Sequence, residues 1–470
     1  MLRLLAFEER LGLFELRISG GPVWEYLRLR VFYELVRTSG ALEMNGARRR
    51  PTLREAVGLA RGAWESLPIR VADLGQREIV FFGYSRRVQD RDGLWCDAHV
   101  DPLLADLPTS HIYVEQRHRR RRYRPIAGEI FPHDYFDVRV AAARRFSKFR
   151  LRPCERTALN RVAHELAEEF GTHIDLADLA TAALDRRRHL IPLYRRFFEA
   201  TGARLLVVVS PNVAESAAIE AARSAGVRSA ELQHGVIAPL DPCYSYPAGS
   251  ALQCRADDLL LLDRRWRRNV REFRDAGSLH VVGFAHFENA RPRINALTRP
   301  SQAVFLSQPT IGAALSRFAV ELARDPRFRK PIVYRLHPDE ADWRNAYPWL
   351  VDAPITVDDG RQTSLYELMA GSDVQVGAYS FALYEGAALG LTTFVVDLPG
   401  SEAVADLVAD GLAQSVATPD DVVRAAESSH RSGVAGLFPF DPHNSFRNYL
   451  RSVGLERPVP SLPAGLRRSA

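Results

Sequence analysis

From residue 203 onward, short continuous apolar runs alternate with longer stretches whose apolar residues recur at helical spacing. "RLLVVVS" reads as a strand, "AESAAIEAARSAG" as a helix and "RSAELQ" as a strand. "DDLLLLD", "RRWRRNVREFRDAG" and "LHVVGF" repeat the order strand, helix, strand. After residue 301 the alternation restarts with "AVFLS", "IGAALSRFAVELARD" and "PIVYRLH". It continues through "WRNAYPWL", "ITVDD", "SLYELMAG", "SDVQVGA", "FALYEGAALG", "TTFVVDLP" and "SEAVADLVADG". Strands apolar along their whole length, separated by helices, predict parallel sheets covered on both faces. Upstream, "REIVFFGYS" and "SHIYVEQ" read as further strands. Residues 1–40 and 52–66 read as helical, and 154–200 as two long amphipathic helices.

The expected fold is therefore α/β, with two Rossmann-like domains whose parallel sheets face a cleft. A chain of 470 residues is too long for one ordinary core. The first domain is assigned to residues 1–287 with a helical N-terminal extension, and the second to 302–430. A tail, 431–470, is expected to pack back on the first domain. "ENARPRINALTRPS", residues 288–301, has proline, arginine and no clear period, and reads as the linker.

Charge and cysteine content narrow the chemistry. The net charge is +6, carried almost wholly by arginine, since Lys148 and Lys330 are the only lysines. The sharpest cluster is "RHRRRRYRP" from Arg117. It fits a solvated loop, or peripheral contact of Arg117–Arg124 with anionic membrane or acidic glycan. One short patch without a nucleic-acid fold motif gives no reason to expect nucleic acid. The four cysteines lack CxxC spacing, so neither zinc nor a disulfide framework is expected. No run of about 18 apolar residues occurs, and early glutamates argue against a signal peptide. The expectation is a cytoplasmic protein, at the inner face of the membrane if the basic loop docks there.

Three strand ends in the second domain carry polar groups. "FLSQPTIG" supplies Ser307, Gln308 and Thr310, and "YRLHPDE" supplies Arg335, His337 and Pro338. "GAYSFALYEG" supplies Tyr379 and Ser380 before a helix, with Glu385 on its first turns. In a parallel sheet all three lie at the carboxyl edge, where ligands bind. Free N–H groups at helix starts suit a phosphate, and Glu385 suits a ribose diol. The set reads as a nucleotide pocket. Each piece alone also has a plain reading, as an N-cap or a turn.

"LQHGVI", "YRLHP" and "VGAYSFALYEGAALGL", in this order, resemble bacterial surface- and capsular-polysaccharide glycosyltransferases. More distant similarity runs to bacterial sialyltransferases and CDP-glycerol glycerophosphotransferases. The resemblance spans roughly residues 203–415. It implies a GT-B fold, a nucleotide-sugar donor (CMP- or NDP-linked) on the C-terminal domain, a glycan or lipid-linked acceptor, and no cofactor or obligatory metal. His337 and Pro338 match the His-Pro motif that contacts the donor. Ser380 matches the second position of a Ser-Ser/Thr pair from which Tyr379 departs, and Arg335 stands where lysine is common. The acidic catalytic motif of sialyltransferases is missing, and Gln233-His234-Gly235 stands in its place.

A transferase needs a base for the acceptor hydroxyl, and imidazole titrates near neutral pH. His234 is the candidate, with Glu231 and Glu215 in reserve. Gln233 and Gly235 are acceptor contacts or a structural turn. The leading expectation is a metal-independent glycosyltransferase acting on a growing cell-surface polysaccharide or lipid-linked glycan. The alternatives are a GT-B-shaped nucleotide-sugar epimerase, for which no clear carboxylate set stands out, and a non-catalytic glycan- or nucleotide-binding assembly protein.

Overall fold

A computed structural model describes residues 1–39, 57, 62, 64–84, 87–89, 94–105, 107, 109–116, 129–210, 212–270, 278–295, 301–428, 437–438 and 441–455. The first sheet comprises β1 (Ile79–Phe82), β2 (His111–Glu115), β3 (Glu129–Pro132), β4 (Leu205–Val208), β5 (Arg228–Leu232), β6 (Asp258–Leu261) and β7 (Leu279–Val281). The second comprises β8 (Gln302–Leu306), β9 (Ile332–Arg335), β10 (Thr356–Asp358), β11 (Ser372–Gly377), β12 (Thr392–Val396) and β13 (Gln414–Val416). The helices that position the site are α1 (Leu2–Arg10), α2 (Val23–Thr38), α3 (Asp134–Phe146), α4 (Pro153–Phe170), α5 (Leu176–Thr201), α6 (Val213–Ser224), α7 (Ala285–Asn295), α8 (Gly312–Arg324), α9 (Leu365–Ala370), α10 (Ala382–Ala388) and α11 (Pro442–Ser452).

Every pairing in both sheets is parallel. The orders are β7-β6-β5-β4-β1-β2-β3 and β10-β9-β8-β11-β12-β13. Each sheet winds outward from its first strand in both directions. The reversal falls between β1 and β4 in one and between β8 and β11 in the other. At such a switch point neighbouring crossovers leave on opposite faces and open a crevice at the carboxyl edge. The apolar strands are covered on both sides: Ile79 and Phe81 face one core, and Val80 and Phe82 another.

α5 is 26 residues long, and only its last turns lie against the sheet. Tyr194 meets Phe82 at 5.3 Å and Phe197 meets Phe131 at 4.8 Å between ring centroids. Its first half rises past the carboxyl edge of β1 and packs with α1, α2 and α4 in a separate apolar core. Buried Glu8 ties that extension together, accepting from Trp24 Nε1 at 2.9 Å and Arg28 Nε at 2.6 Å.

The two domains meet through an aromatic cluster. Trp266 follows β6, Phe284 follows β7 and Phe381 follows β11. Phe381 lies 5.9 Å from Trp266 and 5.5 Å from Phe284. The carboxyl edges of the two sheets are thereby held face to face, and the space between them is the cleft. Phe438 fills the cluster, 5.3 Å from Phe287 and 6.0 Å from Phe381. Beyond it, α11 lies on the first domain, with Tyr449 donating to Asp258 at 2.9 Å.

Three expectations change. Residues 288–295, assigned to the linker, belong to α7. Phe287 and Ile294 are buried at helical spacing, and their burial outweighs the single lost hydrogen bond at Pro292. "RRWRRNVREFRDAG" is described only over residues 264–270, with Arg264–Asn269 a 3-10 turn that Asp263 caps through Arg265 N at 2.9 Å. "EIFP" and the run after it form β3 and α3, which the apolar pattern did not single out. Most of 52–66, all of the basic loop Arg117–Arg124, and "DRD" at 90–92 lie outside the described residues.

Candidate active site between the two sheet edges

On the second domain the structure gathers every predicted nucleotide contact at the carboxyl edge, but ties many of them to one another. The organiser is Glu340, a buried carboxylate just after the His-Pro pair. It accepts from Ser307 Oγ at 2.8 Å, Tyr347 OH at 2.7 Å and the His337 backbone N–H at 2.6 Å. Its Oε1 also stands against Gly312, where an added Cβ would come within 2.4 Å. The negative carboxylate thus already meets the positive end of α8. Ser307 is consumed in this network. Arg335 is consumed too, donating to Asp358 at 2.6 Å and to the Thr363 carbonyl at 2.8 Å.

What remains toward the cleft is half-buried Gln308, His337, Tyr379 and Ser380, with Pro338 exposed beside them. Thr310 and Tyr379 bond through their hydroxyls. Ser380 Oγ accepts from Ala382 N at 3.3 Å, a local turn bond just ahead of α10. His337 Nδ1 accepts from Asp339 N at 3.2 Å. Glu385 lies deeper, with Oε1 accepting from Tyr366 OH. Burial pushes its carboxyl up to about 7, the tyrosine bond opposing. The Tyr366 ring packs on His286 at 5.5 Å and Phe287 at 5.8 Å, so Glu385 sits at the domain junction.

On the first domain, β5 sends Ala230 and Leu232 into the core shared with the second domain. His234 continues that side. Its ring lies 5.7 Å from Tyr84, which follows β1. Tyr84 in turn lies 5.5 Å from His99. His99 Nδ1 is shut off from solvent and finds no partner among the described residues. Burial, aided by nearby His286, pulls the His99 pKa down to about 3, so the ring is neutral. Gln233 braces the turn, donating to the Gly235 carbonyl at 2.7 Å and accepting from Leu262 N at 2.8 Å. An added Cβ at Gly235 would meet nothing within 4 Å.

The two reserve bases are placed elsewhere. Glu231 is on the opposite side of β5, accepting from Tyr244 OH at 2.6 Å. It lines a cavity of about 50 Å³ with Arg28 and Arg255, beneath α2. Glu215, in the first turn of α6, accepts from Gln116 Nε2 at 2.6 Å and its other oxygen is buried. Burial raises both carboxyls. Neither stands beside His234, because strand alternation and the α6 turn aim them at the helical side of the sheet.

Several residues at this edge escaped sequence reasoning. Ser210, after β4 at the switch point, has φ 100°, outside the range an L-residue adopts without strain. Asp97 accepts from Tyr84 N at 2.6 Å, His99 N at 2.9 Å and Tyr113 OH at 3.1 Å, so it sets the loop that carries both rings. Asp101 is pushed up to about 7 by burial and by Asp97. Only "WCDAHVD" hinted at them, as acids and a histidine before a short helix. Among the described residues no three His, Cys, Asp or Glu side chains form a metal-ligating group.

Two parallel-sheet α/β domains with facing carboxyl edges are the GT-B architecture. No family model and no curated protein sequence matches the chain. Among solved structures it is similar to the UDP-GlcNAc 2-epimerase of Methanocaldococcus jannaschii, with TM-score 0.50 and 10% identity over 81% of this chain and 100% of that one. It is also similar to the wall teichoic acid polymerase TagF, with TM-score 0.42 and 11% identity over 91% and 97%. A third is the UDP-N-acetylglucosamine 2-epimerase of Rickettsia bellii, with TM-score 0.46 and 12% identity over 81% and 96%. At 10% identity, what the chain shares with the Methanocaldococcus jannaschii epimerase is the fold alone.

Proposed function

We propose that this chain is a glycosyltransferase. It moves a sugar from a nucleotide-activated donor, held by the second domain, to a hydroxyl of a surface polysaccharide or lipid-linked glycan presented by the first. The observation that carries this reading is His234. It is an imidazole at the carboxyl edge of the first sheet, beside Tyr84, across the cleft from the polar groups that follow β8, β9 and β11. Gly235 supports it, because the chain's own packing does not require a glycine there. An approaching substrate would. His234 takes the acceptor proton as the hydroxyl attacks the anomeric carbon. The nucleotide leaves as its phosphate, with His337, Gln308, Ser380 and the Thr310–Tyr379 pair as hydrogen-bonding groups around it. Charge on the phosphate is met by hydrogen bonds and the protein field rather than a divalent ion. The direct test is a screen of nucleoside mono- and diphosphates by thermal shift, followed by transfer assays with His234→Ala. Retained turnover in that variant would reject the role of His234.

A second reading, a nucleotide-sugar epimerase, has one observation in its favour. Burial and Asp97 push the Asp101 carboxyl up to about 7, and its Oδ1 is buried without a partner among the described residues. Acid–base chemistry at a sugar carbon needs such a group. Turnover of a nucleotide sugar with no acceptor present, abolished in Asp101→Asn, would select the epimerase.

A further inference from the structure

The end of α3 carries a surface that the cleft does not use. Phe146 is 88% exposed, in the sequence "RRFSKFR". Its exposure is built in rather than the fraying of a helix end. Arg144 donates to Asp185 at 2.6 Å, Phe149 N donates to the same carboxylate at 3.3 Å, and Arg188 donates to the Ser147 carbonyl. These bonds pin the turn on both sides of Phe146. Around it Arg145, Lys148 and Arg150 are exposed and make no ion pair among the described residues. No acidic residue occurs between Asp137 and Glu155.

The position of this turn follows from α5. His133, after β3, bonds Tyr194 OH through Nε2 at 3.0 Å, at the level of the sheet's carboxyl edge. Asp185 and Arg188 precede Tyr194 on α5, about 9–14 Å further out at the helical rise. Since α3 starts at His133 and ends against Asp185 and Arg188, it climbs away from the sheet. Phe146 therefore lies beyond the carboxyl edge of the first sheet.

We propose that this turn docks the protein on an anionic lipid bilayer, with Phe146 entering the headgroup layer and Arg145, Lys148 and Arg150 meeting lipid phosphates. A soluble polyanion would satisfy the cations but give the exposed ring nothing. A bilayer interface takes both, an aromatic ring among the headgroups and cations at the anionic surface. The docking sets the carboxyl-edge side of the first domain toward the membrane, and it stands whether or not the transferase reading holds.

Co-sedimentation of the full chain with vesicles tests it. Phosphatidylglycerol-containing vesicles should bind the protein at low salt, pure phosphatidylcholine vesicles much less. Arg145→Gln/Lys148→Gln/Arg150→Gln should weaken anionic-vesicle binding by roughly a hundredfold, at about fivefold per cation near the surface. Phe146→Ser should weaken it about tenfold, a part of full burial of a phenyl group. Both changes are on exposed side chains, so circular dichroism should stay unchanged. Phe146→Trp should show a blue-shifted emission on anionic vesicles. Vesicle binding equal to wild type in the triple variant, or no emission shift in Phe146→Trp, overturns the proposal. Binding to heparin that is stronger than to vesicles and indifferent to Phe146→Ser would make this a polyanion site, and overturns it as well.

Discussion

The ring of Tyr84 lies 5.7 Å from the ring of His234 and 5.5 Å from that of His99. One tyrosine, from the loop after β1, thus links imidazoles from two other parts of the chain. Asp97 holds it there by accepting its backbone N–H. If His234 is the base, His234→Ala should keep nucleotide affinity and lose transfer by about 10²–10⁴-fold. Tyr84→Ala should lose a smaller factor, with the larger change in acceptor KM, because it removes the ring that positions the imidazole. Nucleotide affinity measured by calorimetry beside single-turnover rates separates these effects. A His234→Ala enzyme that also fails to bind nucleotide would place the histidine on the donor.

The His-Pro turn is expected to depend on a residue that itself touches no ligand. His337→Ala and Ser380→Ala should each weaken nucleotide binding by about 1–3 kcal/mol. Glu340→Ala leaves Ser307 Oγ, Tyr347 OH and the His337 N–H without their shared acceptor. It should lower overall stability by several kcal/mol on the same scale, as well as affinity. Glu340→Gln keeps an acceptor and should recover most of the stability. Equal urea midpoints for wild type and Glu340→Ala would show that the network is not what holds the turn.

Transfer activity should survive EDTA. The proposed donor site relies on neutral hydrogen-bonding groups and His337, and "DRD" at 90–92 belongs to the first domain. Assays in chelator, with and without added Mg²⁺, give the answer. Complete loss that Mg²⁺ restores would contradict the proposed handling of the leaving phosphate.

The sheets were legible because parallel strands buried on both faces leave continuous apolar runs, as in "RLLVVVS" and "AVFLS". The polar residues at their ends were legible for the same reason: where such a run stops, the carboxyl edge begins. What those residues bond to was not legible. Nothing in "YRLHPDE" says that Glu340 folds back onto Ser307, since that contact joins two crossovers through tertiary packing. Glu231 and His234 are three residues apart, so alternation along β5 already puts them on opposite sides; what each side packs against was decided by tertiary contacts. The linker was misread because proline and arginine outweighed Phe287 and Ile294. The helical period there is short and becomes visible only once the second domain supplies an apolar partner.

Phe438 holds the domains together at some backbone cost. It has φ 61°, and its ring sits among Phe284, Phe287, Phe381 and Trp266. Its N–H donates to Asp263 Oδ2 at 2.9 Å. Phe438→Ala should destabilise the protein by about 3–5 kcal/mol, as for other buried phenylalanines. Phe438→Gly relieves the positive φ and should cost less than Phe438→Ala by about 1 kcal/mol. Small-angle scattering of either variant should show a larger radius of gyration, since the facing edges lose a shared wedge. A loss of stability without expansion would mean that the remaining aromatic pairs and the Arg265–Asp410 ion pair, 2.9 Å, suffice to keep the cleft closed.

Glu385 should make stability depend on pH across the neutral range. In the folded chain its carboxyl is pushed up to about 7 by burial, against an ordinary value of 4.5. Below about pH 4.5 it is protonated in both states, and its contribution is fully present. As the pH rises toward 7 the unfolded chain ionises while the folded chain keeps the proton, so stability falls. The difference between the two values corresponds to roughly 3 kcal/mol, lost between pH ~4.5 and ~7 and flat above. Glu385→Gln keeps a polar side chain for Tyr366 OH and cannot titrate, so this component should vanish. Urea unfolding of both proteins at pH 5 and pH 8 isolates it, because every other titrating group is common to the two. Tyr366→Phe gives an independent check. The tyrosine bond favours the charged form, so its removal should extend the upper end of the window to higher pH and deepen the loss, with the lower end unchanged. An identical pH dependence in wild type and Glu385→Gln would show that Glu385 is ionised and hydrated in the folded protein. The domain junction around Tyr366 and His286 would then be open to water.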